Sequence, residues 1–158
     1  FAQASSWDLY APRTLKEFMS NIAAKSLMNP DVLITDDKKN TSIVLSYNSF
    51  QSRVKVIYSG TSRKVSDERK ELISIWLKTL GQSTKLLDLF EDEYLFTEDK
   101  VEYWLPVQKT LIPHFAEELK KGDKVTLFLA WLGARKSSKG IDYVFLTNEF
   151  EAEEEKHK

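Results

Sequence analysis

The 158-residue chain contains no cysteine, five glycines, four prolines and two histidines. Without cysteine there is no disulfide, iron–sulfur cluster, thiolate zinc site or cysteine nucleophile. The glycines form neither a G-x-x-x-x-G-K-[ST] nor a G-x-G-x-x-G cradle, so the common nucleotide motifs are missing. No apolar run approaches the ~20 residues of a membrane-spanning helix. No G-x-S-x-G elbow accompanies either histidine.

What remains is 42% apolar, 12% aromatic and 30% charged residues, the profile of one globular domain. The net charge of −1 conceals blocks: +4 over residues 51–80, −5 over 81–120, +3 over 121–148 and −3 over the last ten. Such blocks pair with one another or solvate a surface, and point only weakly to a charged partner.

Local patterns predict the elements. Thr14 and Glu17 form a T-x-x-E capping box ahead of a helical stripe of Leu15, Phe18, Met19, Ile22 and Leu27, stopped by Asn29-Pro30. Val32–Ile34 reads as a short strand closed by the polar turn Asp36–Asn40. Alternation in Ile43–Tyr47 and again in Val54–Tyr58 predicts a hairpin turning near 48–52 and closed by Gly60-Thr61-Ser62. Ser66 caps a second helix carrying Leu72, Ile73, Trp76, Leu77 and Leu80, with Gly81 at its end and a shorter helix over Thr84–Glu91. A hairpin over Tyr94–Leu105 turns at Thr97–Lys100. Pro106 is placed in the first turn of a following helix that restarts at Pro113. Val125–Leu132 and Ile141–Phe150 form two last strands joined by the loop Gly133–Gly140. Trp76 and Trp131 belong to the core, whereas Trp7 and Trp104 are partly exposed.

The order predicts an α+β domain over residues 5–150, with a mainly antiparallel sheet or small barrel, OB-like or SH3-like, and about three helices. Residues 151–158 read as an acidic disordered tail. Ala2-Gln3-Ala4 fits the small-x-small pattern of signal peptidase, so residues 1–4 are expected to be the remnant of an export signal. Tyr103–Gln108, Glu118–Val125 and Val144–Phe150 together resemble segments of uncharacterised exported bacterial proteins. That resemblance spans the last third of the chain. It implies a bacterial, extracytoplasmic origin and carries over no catalytic residue.

His114 shares a helical face with Glu117 or Glu118, but no third ligand stands at a recognisable spacing, so no metal or cofactor is expected. The carboxylate pairs Asp36-Asp37, Glu98-Asp99 and Glu117-Glu118, and the run Glu91–Glu93, read as solvated turns and faces. Gly60–Lys64 and Gly133–Gly140 read as basic loops able to hold an anion on backbone N–H groups. The candidate ligand-binding residues are Arg53 and Lys55, opposite Val54 and Val56, with Arg135, Lys136 and Lys139. If the two hairpins are neighbours these five make one basic surface, unless they pair with the acidic segment 91–102. The function expected is a non-catalytic, exported module binding a protein, peptide or envelope polymer. The rivals are a hydrolase with carboxylates assembled from distant positions and an OB-like nucleic-acid binder, the latter disfavoured.

Overall fold

The computed structural model describes residues 4–153. A 3-10 turn, Ala4–Leu9, leads into the two-residue strand β1 (Ala11–Pro12). Helix α1 follows as Leu15–Glu17, Phe18–Ala23 in π geometry and Ala24–Met28. Its capping box forms: Thr14 Oγ1 accepts from Glu17 N at 3.0 Å, and Glu17 Oε1 accepts from Thr14 N at 3.3 Å. Glu98 adds a second cap, its carboxylate accepting from Leu15 N and Lys16 N at 2.9 and 3.2 Å. All these acceptors satisfy amides that a helix start leaves unpaired.

The remaining elements are β2 (Val32–Asp36), β3 (Thr41–Leu45), β4 (Ser52–Lys64), α2 (Asp67–Thr79), a 3-10 turn (Thr84–Leu89), β5 (Asp92–Glu98), β6 (Val101–Val107), a 3-10 turn (Lys109–Leu111), α3 (Ile112–Glu118), β7 (Lys124–Ser137) and β8 (Gly140–Ala152). Helix α2 begins with Ser66 Oγ accepting from Arg69 N. It ends in a Schellman motif: Gln82 N donates to Leu77 O, Gly81 N donates to Lys78 O, and Gly81 has φ +71°.

The sheet order is β1-β4-β5-β6-β8-β7-β3-β2, and β4 also pairs with β7. That extra pairing closes β4-β5-β6-β8-β7 into a five-stranded barrel. The third and fifth barrel strands, β6 and β8, meet in parallel at Val107 and Thr147, while the other barrel pairs are antiparallel. With α3 inserted between the third and fourth strands, the connectivity is OB-like. Phe115 of α3 fills one barrel end against Tyr58, Tyr94, Phe96 and Phe150. Phe18 of α1 fills the other against Trp131, Phe145 and Phe50. A second apolar cluster lies under α2, where Leu72, Ile73 and Leu77 cover Ile43, Leu45, Leu132, Val144 and Leu146.

Four local expectations are corrected. First, β3 and β4 do not form a hairpin: β3 pairs with β7 at 133–136, β4 pairs with β7 at 124–129, and the hairpin partner of β3 is β2. The intervening segment is itself tied to β7, with Trp131 N donating to Ser49 O and Ser46 N to Leu132 O. Alternation marks a strand but does not name its partner. Second, β4 continues through Gly60 to Lys64 across a bulge between Tyr58 and Ser62. Third, Pro106 lies in β6, opposite Glu93. Its other neighbour β8 is met only at Val107, so the missing N–H breaks no ladder. Fourth, β7 runs to Ser137, which turns most of the expected Gly133–Gly140 loop into strand.

The Tyr94–Leu105 hairpin forms, with Asp99 and Lys100 at φ +49° and +68°, the two positive values of a tight two-residue turn. Strand β8 extends to Ala152, so Glu151 and Ala152 pair with Thr126 and Val125. Residues 1–3 of the expected signal remnant and 154–158 of the expected tail lie outside the described residues.

Candidate functional site

The β7 register locates the five cations chosen from the sequence. Arg53 sits opposite Phe128 and Lys55 opposite Thr126, so Arg135 lies about 23 Å further along the same strand. The five do not form one surface. Arg53 is partly buried, its Nε donating to the Tyr10 carbonyl at 2.7 Å. The Arg135 guanidinium donates to Glu68 O at 3.0 Å and Glu71 Oε1 at 2.7 Å. Lys55, Lys136 and Lys139 are exposed. Arg135 and Lys139 do share a shallow recess of about 260 Å³ with Ser66, Glu68 and Asp142. The acidic segment 91–102 answers other cations: Glu93 meets Arg63 and Arg69, Asp92 meets Lys64 and Glu91 meets Lys109.

The outer face of β4-β5-β6 is where barrels of this topology carry their ligands, and here Arg63, Lys64 and Arg69 are met by carboxylates while Lys55 is exposed. Glu93, 1% exposed, accepts from Arg63 Nε at 2.6 Å and from Arg69 Nη1 at 2.7 Å. Arg69 also holds Asp142 through two nitrogens, at 3.0 and 2.7 Å, and the Trp104 carbonyl at 2.8 Å. Burial opposes the charge on Arg69, but the hydrogen bond to Asp142 and the charges of Asp142 and Glu93 outweigh it and hold the pKa above its ordinary value. The Arg63 guanidinium lies over the Trp104 ring at 4.0 Å. Three cations thus meet three carboxylates here (Arg63, Lys64 and Arg69 with Glu93, Asp92 and Asp142). This cluster is neutral and tied together rather than basic. Arg69 escapes a reading by motif, and Glu93, expected within a solvated run, is instead buried. The only signal for Arg69 is an arginine at the head of the stripe Leu72, Ile73, Trp76, where an apolar residue is expected.

His114 is half-exposed, with Nδ1 3.7 Å from Glu118. Among the described residues no group of three potential metal ligands gathers. The carboxylates singled out in the sequence are dispersed: Glu98 caps α1, and Asp36 Oδ1 accepts from Lys38 N and Lys39 N in its own turn.

The feature that stands open is β2. It is the terminal strand of the sheet, hydrogen-bonded to β3 along one side. Its Leu33 and Ile34 are 55% and 40% exposed, and Met28 before it and Tyr47 after β3 are 88% and 61% exposed. Among the described residues, four of the nine exposed large apolar side chains therefore fall within residues 28–47. Natural edge strands are usually guarded by lysine, proline, a bulge or an inward charge. Val32-Leu33-Ile34-Thr35 carries no such residue, the one charge of β2 being Asp36 at its end, and the five pairs with β3 run without a register shift. Both ends are fixed: Asp31 Oδ2 accepts from Tyr47 N at 2.9 Å, and Asp36 caps the turn that follows. Alternate residues of an antiparallel strand turn their backbone groups to opposite sides, so the free edge presents the N–H and C=O groups of Leu33 and Thr35 beside exposed apolar side chains. Compared with protein-family models and with curated proteins, the sequence matches none.

Proposed function

We propose that this chain is a non-catalytic, exported binding module that docks an extended protein or peptide strand along the free edge of β2. The carrying observation is the unguarded edge with Leu33 and Ile34 exposed on its two faces. Strand addition draws affinity from main-chain hydrogen bonds and specificity from alternate side chains, and β2 offers both. Binding at this edge leaves the barrel intact, because β3 and β7 hold β2 from its other side. The pairing of Arg63, Lys64 and Arg69 with carboxylates favours this reading over a nucleic-acid surface, which needs unpaired cations.

The test is a selection of extended peptides from a random library, followed by amide hydrogen exchange of the complex. The expected result is added protection at Leu33–Thr35 and loss of binding with Leu33→Lys. Protection confined to β5–β6, or binding only to an anionic polymer with a steep salt dependence abolished by Arg53→Glu plus Lys136→Glu, refutes the edge reading. Export is tested by expressing the full gene and sequencing the N-terminus of the product. A mature start at Ser5 is expected, and a cytosolic product retaining upstream residues refutes it.

A further inference from the structure

We propose that the strand docking on β2 is β2 of a second copy of this chain, in an antiparallel two-fold pairing centred on Leu33. The proposal rests on the edge-docking reading above and names its partner. In this register Leu33 faces Leu33 of the other copy, Val32 faces Ile34, and Asp31 faces Thr35.

Three observations select it. Val32 already packs on the apolar cluster under α2, and Ile34, on the same face two residues on, is 40% exposed. Bringing Ile34 of the second copy beside Val32, and the reverse, continues that cluster across the joint. Leu33, 55% exposed on the other face, gains an apolar neighbour of its own kind at the two-fold. The charges also discriminate. A pairing centred one residue later, on Ile34, sets Asp31 against Asp37, whereas the Leu33 centre places no like charges opposite each other. With a net charge of −1, two copies approach with little mutual repulsion. An isologous contact also suits a strand this short. Polar turns confine any single ladder to five residues, about 17 Å, and the two-fold makes each off-axis contact twice.

The decisive experiment is sedimentation equilibrium on the wild type, on Leu33→Lys, on Leu33→Glu and on an equimolar mixture of the two variants. The wild type is expected to dimerise, each variant alone to raise the dissociation constant at least tenfold, and the mixture to form a heterodimer that dissociates at high salt. Circular dichroism verifies that both variants fold, which a half-exposed position favours. A wild type that stays monomeric to about 1 mM, a dimer indifferent to both variants, or variants whose mixture fails to associate overturns the proposal. A monomeric wild type that still takes up a library peptide along Leu33–Thr35 refutes the second copy alone and leaves edge docking standing.

Discussion

Replacing Gly133 by alanine attacks a place where two backbones nearly touch. Gly133 pairs with Leu45 in the β3–β7 ladder, lies beside a register irregularity in the β7–β8 ladder and has φ +153°. A Cβ built there meets Val44 O at 2.0 Å, and Val44 C and Leu45 Cα at 3.0 Å. These are backbone atoms and no rotamer change relieves them, so β3 must move off β7. The backbone conformation costs an L-residue about 1–3 kcal/mol, and forcing atoms into a filled site adds about 1–3 kcal/mol. With backbone as the obstacle, the total is expected near about 3–5 kcal/mol. Gly140→Ala is the matched control, because its φ is +120° and nothing lies within 4 Å of the added Cβ. It reports the conformational cost alone, about 1–2 kcal/mol. Urea denaturation monitored by tryptophan fluorescence and by far-ultraviolet circular dichroism measures both. A Gly133→Ala loss no larger than that of Gly140→Ala refutes the steric argument and the close approach of β3 to β7.

Three further outcomes are expected. Arg69→Met leaves the Glu93 carboxylate buried with Arg63 as its remaining ion pair and is expected to cost about 3 kcal/mol; adding Glu93→Leu recovers part of the loss, and strictly additive effects in the double-mutant cycle would show that the pair does not interact. Burial raises the pKa of Tyr58, Tyr94 and Tyr103 above 10.0, helped by the neighbouring Tyr94, Asp92 and Glu98 respectively. The folded state then holds protons that the unfolded chain releases, so stability is kept below pH 10 and falls as pH rises through the folded values. Denaturation across pH 8–12 measures this against phenolate absorbance, with Tyr94→Phe expected to flatten the alkaline fall. His114→Ala is expected to change stability by less than about 1 kcal/mol in thermal melts, since its ion-pair contact to Glu118 is long and half-exposed.

Features decided within a few residues are legible in the chain. The Thr14 capping box, the Ser66 cap, the Gly81 stop and the Asp99–Lys100 turn each depend on side chains no more than five positions apart. The OB-like order is legible too, since three strands, a helical insertion and two strands occur in that sequence. Pairing is harder to read. Ile43 and Val54 show the same alternation, yet each finds its partner on β7, at Arg135 and Leu127. Gly133 and Gly140 look like the ends of a loop, but Gly133 is a mid-strand residue lacking a side chain so that Val44 can approach. The candidate site divides along the same line. That Val32–Ile34 is a strand follows from composition, whereas that it is the last strand follows only from the whole sheet. Lys55 is exposed as alternation requires, but Arg53 is drawn inward by a carbonyl 43 residues away.

Strand β7 hydrogen-bonds to β3, β4 and β8 and so holds both the barrel and its extension together. It is also made late. Between synthesis of Leu45 and of its partner Gly133, at about 5–20 residues per second, roughly 4–18 s elapse. Throughout that interval the β2–β3 hairpin has two open edges instead of one, and β4 has no β7 to close against. A crowded ribosome cluster therefore places identical β2–β3 hairpins side by side while the Ser42–Leu45 edge that β7 later covers is still open. Slowing elongation ahead of residue 124 lengthens that exposure and is expected to lower the yield of folded protein.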